Sequence, residues 1–251
     1  RPGRRGGGAR LRRRLVPCAR PCAAGPGRSR QETARGSDNC GVRFFPHNIP
    51  TMTTTIRYHD LVESVAASLQ YISYYHPADF IAHLARAYER EQSPAAKDAM
   101  AQILTNSKMS ATGQRPICQD TGIVNVFLKI GMDVRWEGFP AGQGLEDAVN
   151  EGVRRGYNHP DNTLRASVVA DPQFLRKNTK DNTPAVIFTQ IVPGNTVDIT
   201  VAAKGGGSEN KSKMVMMNPS DNLVDWVLKT VPTMGAGWCP PGMLGIGIGG
   251  T

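Results

Sequence analysis

Positive charge is concentrated at one end of this chain, and that division limits which part of it can fold. Residues 1–51 contain 12 arginines and no lysine, against only Glu32 and Asp38. The rest of the chain carries 18 of the 30 basic and 19 of the 21 acidic side chains. An arginine- and glycine-rich stretch with few apolar residues cannot bury enough surface to offset its chain entropy. We therefore predict that residues 1–51 are disordered and that residues 52–251 form the folded domain.

Three origins are open for the arginine-rich stretch. It could be a transit peptide, a genuine basic arm, or translated sequence upstream of a natural start at Met52. We favour the third origin, because Thr53–Tyr58 reads as an ordinary protein beginning. On that interpretation the protein is cytoplasmic, and only a genuine transit peptide would place it in mitochondria.

The remaining composition narrows the class of protein. The body is near neutral, so the net charge of +9 does not by itself indicate a nucleic-acid partner. The hydrophobic content of 39% is sufficient for a core. The apolar stretch 122–134 is interrupted by Asn125 and Lys129 and is too short to span a membrane. We expect neither a nucleic acid nor a membrane as partner. RNA binding through the arginine-rich stretch stays an alternative, which deletion of that stretch would test.

Apolar periodicity predicts an α+β fold in which an N-terminal helical bundle packs with a mixed or antiparallel sheet. The predicted helices are Asp60–Tyr75, Pro77–Gln92, Pro94–Asn106, Leu145–Tyr157 and Ser220–Leu228. The predicted strands are Gly122–Val134, Pro184–Val192, Thr196–Ala203 and Met243–Ile248. The second and third of these strands are expected to pair as a hairpin around Pro193-Gly194-Asn195.

The body contains only two cysteines, and each lies in an unusual loop. Cys118 stands in Arg115-Pro-Ile-Cys-Gln-Asp-Thr-Gly122, where a thiol, an amide, a carboxylate and a hydroxyl project from one short segment. Cys239 stands in Gly237-Trp-Cys-Pro-Pro-Gly242, where the prolines leave few backbone donors and make the loop rigid. Their wide separation excludes compact zinc spacing, and two lone thiols fit a reducing compartment. A buried structural cysteine is the simpler alternative at each position.

A glycine-dense run lies between the two cysteines. The backbone amides and lysines of Lys204-Gly-Gly-Gly-Ser-Glu-Asn-Lys-Ser-Lys213 suit a small anion. The run nearly matches a nucleotide-binding phosphate loop, but Asn210 replaces the final glycine and Pro219 leaves little room for the following helix. A nucleotide site and a flexible loop are the alternatives here.

These segments carry a family resemblance when they are taken in order. Together with Asn162-Thr-Leu-Arg-Ala-Ser167 and Ile248-Gly-Gly-Thr251, they are similar to the N-terminal catalytic part of class I fumarate hydratase. That enzyme is the oxygen-sensitive iron-sulfur type, related to the tartrate dehydratases. The similarity runs from Tyr58 to Thr251, and we expect the chain to be a fragment truncated at its C-terminal end.

The resemblance implies a role for each matching residue. A 4Fe-4S cluster would be bound by Cys118, Cys239 and a third cysteine expected beyond Thr251. The substrate contacts implied are Gln119, Asp120, Arg165, Gly207, Asn210 and Lys211, of which Asp120 is also the candidate proton donor.

The activity that the resemblance implies is the reversible hydration of fumarate to (S)-malate, a reaction of the tricarboxylic acid cycle, with the cluster as Lewis acid. The partner would be a small dicarboxylate, and the complete enzyme a homodimer. Dehydration of L-tartrate is the closest alternative, because the matching motifs bind the parts that the two substrates share. The catalytic base and third cysteine are expected on the same polypeptide or on a separate subunit. A nucleotide-binding protein built on the glycine run is the further alternative.

Overall fold

The computed structural model describes residues 53–239 and 242–249, together with the backbone of Arg12–Arg14. The helices are α1 (Tyr58–Tyr74), α2 (Ala78–Arg90), α3 (Pro94–Gly113), α4 (Leu145–Tyr157), α5 (Gly206–Lys211) and α6 (Leu223–Thr230), the last followed by a 3-10 turn at Val231–Met234. The strands are β1 (Arg12–Arg14), β2 (Thr54–Arg57), β3 (Ile123–Gly131), β4 (Val134–Glu137), β5 (Val169–Ala170), β6 (Lys177–Asn178), β7 (Val186–Val192) and β8 (Val197–Lys204).

Strand β3 is at the centre of the main sheet, whose order is β1-β8-β3-β7. It runs antiparallel to β8 and parallel to β7. Its side chains alternate as a half-buried strand requires: Val124, Val126 and Leu128 are buried, whereas Phe127 and Lys129 face outwards. Two smaller pairs, β2 with β4 and β5 with β6, complete the strand pairing of the described residues.

One apolar cluster joins the inner face of this sheet to α1 and α4. The two helices pack very closely because α4 presents glycines to α1. A Cβ at Gly152 would lie 2.7 Å from Val65 Cβ and 2.8 Å from the Val62 carbonyl oxygen. A Cβ at Gly156 would lie 3.1 Å from Leu69 Cβ. The close contact fixes the C-terminal end of α4, which carries a side chain that supports the candidate site.

The α+β class is confirmed, and so are the first four helices and the central strand. The predicted N-terminal helical bundle consists of two separate helix pairs. Helix α1 packs chiefly on α4, while α2 and α3 pack chiefly on each other. None of the helices within the described ranges has an apolar stretch long enough to cross a membrane.

The predicted hairpin of the two later strands is wrong, because β3 lies between β7 and β8. The connection at 193–196 instead crosses the end of β3. There Gly131 donates its N–H to the Thr196 carbonyl at 2.9 Å, and Met132 donates to the Val192 carbonyl at 2.9 Å. A Cβ at Gly131 would collide with the Gly194 carbonyl, so the crossing requires glycine at this point.

Two further segments differ from their predictions. The glycine run, for which no helix was predicted, contains the short helix α5. The strand predicted at Met243–Ile248 is wrong, since these residues are exposed and pair with no strand within the described ranges. Apart from β1, which pairs with β8, residues 1–51 lie outside the described residues, so their disorder and the domain boundary at residue 52 stay predictions.

The tight helix contact predicts that Gly152→Ala destabilises the protein. The added methyl meets the backbone carbonyl of Val62, which cannot rotate away, and overpacking of this kind costs about 1–3 kcal/mol. Gly113→Ala in α3 is the control, because its nearest neighbour would be a flexible arginine carbon 3.8 Å away. Chemical denaturation should show a lower free energy of unfolding for the first variant only. Equal stability of the two variants would contradict the tight packing.

Candidate active site

The Cys118 loop, residues 114–122, connects α3 to β3 and is attached to the helices at its base. Ile117 donates its N–H to the Ser73 carbonyl at 2.8 Å. The Asn106 amide donates to the Ile117 carbonyl at 2.9 Å. The loop therefore leaves the helical layer in a defined direction and leads from Cys118 and Asp120 into β3.

Tyr157 holds the other end of the loop from below. Its hydroxyl donates to the Thr121 carbonyl at 2.9 Å and lies 3.3 Å from the Gly122 carbonyl. Burial raises the pKa of Tyr157 to about 12, and the charge of Asp120 adds to this shift. The hydroxyl therefore stays protonated and remains a donor throughout the physiological pH range.

The tip of the loop presents the chemically active groups. Cys118 is exposed, and its thiol donates to Gln119 Oε1 at 3.3 Å. The Asp120 N–H donates to the Cys118 sulfur at 3.4 Å. A sulfur that accepts a backbone N–H can keep that hydrogen bond when it binds a metal, and such bonds tune metal–thiolate centres. Beside the loop is a cavity of about 200 Å³, lined by Cys118, Asp120 and Tyr157 together with apolar and hydroxyl side chains.

The glycine run begins at the same edge of the sheet, because Ile123 and Lys204 are paired in register. The two backbones nearly touch there. A Cβ at Gly122, whose φ is +79°, would lie 2.5 Å from the Lys204 carbonyl carbon. Positive φ and close approach together require glycine at this position.

Asp120 points its carboxylate at the glycine run. The Gly207 N–H donates to Asp120 Oδ2 at 3.4 Å, and a Cβ at Gly205 would lie 2.8 Å from the same oxygen. The absence of side chains at these glycines thus permits the carboxylate to reach the backbone. The predicted site residues Asp120 and Gly207 are therefore brought together, although they are far apart in the sequence.

The Cys239 loop contacts the same run. Ser208 Oγ donates to the Trp238 carbonyl at 3.4 Å, and a Cβ at Gly207 would lie 2.6 Å from the Gly237 carbonyl. Cys239 follows directly, exposed and with a φ of +61°. Few residues other than glycine adopt that conformation, and it is frequent at functional sites. Both cysteine loops thus meet at the glycine run.

Arg165 has its backbone fixed beside the Cys118 loop. Thr121 Oγ1 donates to the Arg165 carbonyl, and the preceding Leu164 donates its N–H to the Tyr157 carbonyl at 2.8 Å. Leu164 is buried in the core, whereas Arg165 is exposed. The side chain of Arg165 is therefore exposed to solvent, while hydrogen bonds hold its backbone in place.

Two cationic side chains of the site, those of Arg165 and Lys211, make no hydrogen bond or ion pair in the described part of the chain. Lys204 differs, since it donates to Glu209 at 2.7 Å. Lys211 lies against the Cys239 loop, where its Cε would be 3.0 Å from a Cβ at Gly237. Unpaired cations of this kind are suited to bind an external anion. Asn210 is exposed on α5, and its amide likewise makes no hydrogen bond with described residues.

The two exposed thiols, Cys118 and Cys239, are both free, so they fit as donors to an iron-sulfur cluster. Among residues 53–239 and 242–249, however, no group of three or more histidine, cysteine or acidic side chains is placed to hold a metal ion. The described chain thus offers two thiolates of the three that the resemblance implies. A third cysteine ligand must come from outside the described residues.

Sequence reasoning did not identify Tyr157 or Asn182, two buried residues that support the site. Asn182 donates to the Gly122 carbonyl at 2.9 Å. No sequence signal marks either one, because a tyrosine at the end of a helix and an asparagine in a polar connection are both ordinary. Their role depends on which loops the fold brings next to them.

Comparison with known proteins identifies the family. The fumarate hydratase (fumerase) family model matches residues 62–251. The putative L(+)-tartrate dehydratase subunit alpha of Methanocaldococcus jannaschii is 34% identical over 70% of this chain and 62% of its own length. The anaerobic class I fumarate hydratase of Escherichia coli (strain K12) is 32% identical over 76% of this chain and 36% of its own length. The L(+)-tartrate dehydratase subunit alpha of Escherichia coli (strain UTI89 / UPEC) is 27% identical over 75% of this chain.

The chain belongs to the fumarate hydratase (fumerase) family. It spans about three fifths of the tartrate dehydratase subunits it matches and about a third of the class I fumarate hydratase from Escherichia coli (strain K12). The expected family is thereby confirmed, and all three segments described above lie within the matched range.

The shared position of the two cysteine loops predicts that Cys118→Ser and Cys239→Ser each abolish cluster binding. The full-length protein, assembled with iron and sulfide in the absence of oxygen, should show broad brown absorbance that both variants lose. Cys40→Ser, in the arginine-rich stretch, is the matched control and should keep it. Full iron content in both site variants would contradict the assignment of the ligands.

Proposed function

We propose that this chain is the cluster-binding part of a hydro-lyase that adds water reversibly to fumarate and forms (S)-malate. The observation that carries the proposal is the meeting of three segments at one place. The Cys118 loop reaches the glycine run through Asp120, and the Cys239 loop reaches it through Trp238. Membership of the family supports the reaction class.

The free cations would bind the substrate dianion. The planar guanidinium of Arg165 can grip one carboxylate with two parallel hydrogen bonds, and the Lys211 ammonium supplies a point charge for the other. The Gly207 N–H and the Asn210 and Gln119 amides can satisfy the remaining carboxylate lone pairs. These groups would hold the dicarboxylate in one orientation relative to Asp120.

Asp120 would hold or deliver a proton at its carboxylate, and the hydrogen bond that this carboxylate accepts from the glycine run supports that role. A 4Fe-4S cluster held by Cys118, Cys239 and a third cysteine would supply an open iron that acts as a Lewis acid on the substrate hydroxyl. We assign the third cysteine and the catalytic base to polypeptide outside the described residues.

Dehydration of L-tartrate is the second candidate. The relative from Methanocaldococcus jannaschii is named a putative L(+)-tartrate dehydratase subunit, and this chain covers more of its length than of the fumarate hydratases. The two substrates share the four-carbon dicarboxylate that the free cations would bind. The nucleotide alternative has less support, because α5 is only six residues long and Asn210 stands where a phosphate loop has glycine.

The proposal extends to the setting of the enzyme. The complete protein would be a cytoplasmic homodimer that binds a small dicarboxylate and neither nucleic acid nor membrane. Gel filtration with light scattering, on protein with and without residues 1–51, would test the oligomeric state.

The full-length protein, assembled without oxygen, should consume fumarate and form malate, with or without residues 1–51. Parallel assays under argon with fumarate and L-tartrate test this outcome, and protein left without iron and sulfide is the control. Turnover of tartrate alone would select the second candidate. Turnover of neither substrate by cluster-loaded protein would contradict the proposal.

Arg165→Lys should raise KM for the dicarboxylate and leave the iron content unchanged. Loss of one charge-assisted contact is worth about 1.5–3 kcal/mol, or roughly tenfold to a hundredfold in affinity. Arg135→Lys, an exposed arginine on β4 outside the site loops, is the matched control. Steady-state kinetics give KM for each variant. An unchanged KM in Arg165→Lys would mean that Arg165 is a solvated surface residue that does not contact the substrate.

A further inference from the structure

Asn182 is a completely buried polar residue next to the candidate site. It is 0% exposed and lies in Asp181-Asn-Thr-Pro184, between β6 and β7. Its φ is +61°, a left-handed conformation that asparagine tolerates better than most residues. A buried side-chain amide is costly unless its donors and acceptor are satisfied, so its partners show what it does.

The partners of Asn182 belong to two different loops. Its Oδ1 accepts the N–H of Ser167 at 2.8 Å and that of Val168 at 3.2 Å. Its Nδ2 donates to the Gly122 carbonyl at 2.9 Å. One side chain therefore joins the segment that follows Arg165 to the segment that follows Asp120.

A second link runs parallel to this one. Thr121 Oγ1 donates to the Arg165 carbonyl, one residue away from Gly122 and two away from Ser167. Two links between the same pair of loops prevent them from sliding or rotating against each other, which a single hydrogen bond would not. The separation between the Arg165 and Asp120 backbones is thereby fixed from inside the protein.

We infer that Asn182 is a positioning residue that sets Arg165 relative to Asp120 and so aligns the dicarboxylate with the proton-transfer group. The inference rests on the proposed function, since it names Arg165 and Asp120 as substrate contacts. Misplacement of a bound substrate by about 1 Å can cost roughly a hundredfold in rate. Asn182 touches no substrate itself and acts only through the two loops.

Three variants distinguish a positioning role of Asn182 from a role only in stabilising the fold. Asn182→Gly removes the link and keeps the left-handed backbone, which glycine adopts freely. Asn182→Asp keeps the oxygen that accepts the Ser167 and Val168 N–H groups. It replaces the amide nitrogen, which donates to the Gly122 carbonyl, with a second oxygen. Asn178→Ala is the matched control, because its amide donates to Ala166 of the same segment at 2.9 Å without reaching the Cys118 loop.

Asn182→Gly should lower kcat/KM for the dicarboxylate by roughly tenfold to a hundredfold, with iron and sulfide contents equal to those of the wild type. Tyr157 still holds the Cys118 loop in this variant, which is why cluster content should survive. Amide hydrogen exchange, which needs no turnover, should accelerate at Ser167 and Val168 in Asn182→Gly and stay slow in Asn182→Asp. The Asn178→Ala control should match the wild type in both measurements.

In Asn182→Asp, kcat/KM should depend on pH in a way that a purely structural role of Asn182 would not produce. The complete burial of this position and the Gly122 carbonyl favour the protonated carboxyl, which can donate to Gly122 as the amide does, and they act against the Ser167 and Val168 N–H groups, which favour the ionised form. Asp181 and Arg154, the adjacent charged groups, keep their 3.0 Å ion pair in every variant. The kcat/KM of Asn182→Asp relative to the wild type should therefore be near one at about pH 6 and fall as the pH rises towards about 9.

Unchanged kcat/KM in Asn182→Gly would overturn the inference, and so would a loss of activity that only parallels a loss of iron. These outcomes are distinct from failure of the proposed function, which would appear as a wild-type protein that carries a full cluster and hydrates neither substrate.

Discussion

The site depends on the contact between two backbones where β3 begins and β8 ends. Gly122 and Lys204 approach so closely that a Cβ at Gly122 would lie 2.5 Å from the Lys204 carbonyl carbon. Because β3 and β8 pair in register, this contact places the Cys118 loop beside the glycine run. The Cys239 loop then contacts the middle of the run, where Ser208 Oγ donates to the Trp238 carbonyl. A bulkier residue at Gly122 would separate all three segments at once.

Charge is divided between structural and functional uses. Arg155 donates to both Glu63 and Glu151 at 2.8 Å, which links α4 to α1 and lowers the pKa of Glu151 through a hydrogen bond. These pairs are exposed, so each adds little to stability. Arg165 and Lys211 have no such acidic partner among the described residues, so their charge stays available for an anion.

The local features of the fold could be predicted from sequence, because they depend on residues near each other in the chain. Apolar spacing in Asp60–Tyr75 predicted α1, and the alternation in Gly122–Val134 predicted β3, which the structure has at Ile123–Gly131. The insertion of β3 between β7 and β8 could not be predicted, because a Pro-Gly-Asn turn serves a hairpin and a crossing equally well. At the site, Cys118 and Asp120 carried a motif, whereas Asn182 gains its role only from loops that are distant in sequence.

The central claim is that Cys118 and Cys239 face one common site across the glycine run. An anomalous difference map at the iron edge, from crystals of the full-length protein assembled without oxygen, tests it directly. We predict a single iron cluster bonded to both sulfurs, with the Asp120 N–H still directed at the Cys118 sulfur. Iron bonded to only one of the two cysteines, or iron at two separate sites, would contradict the account.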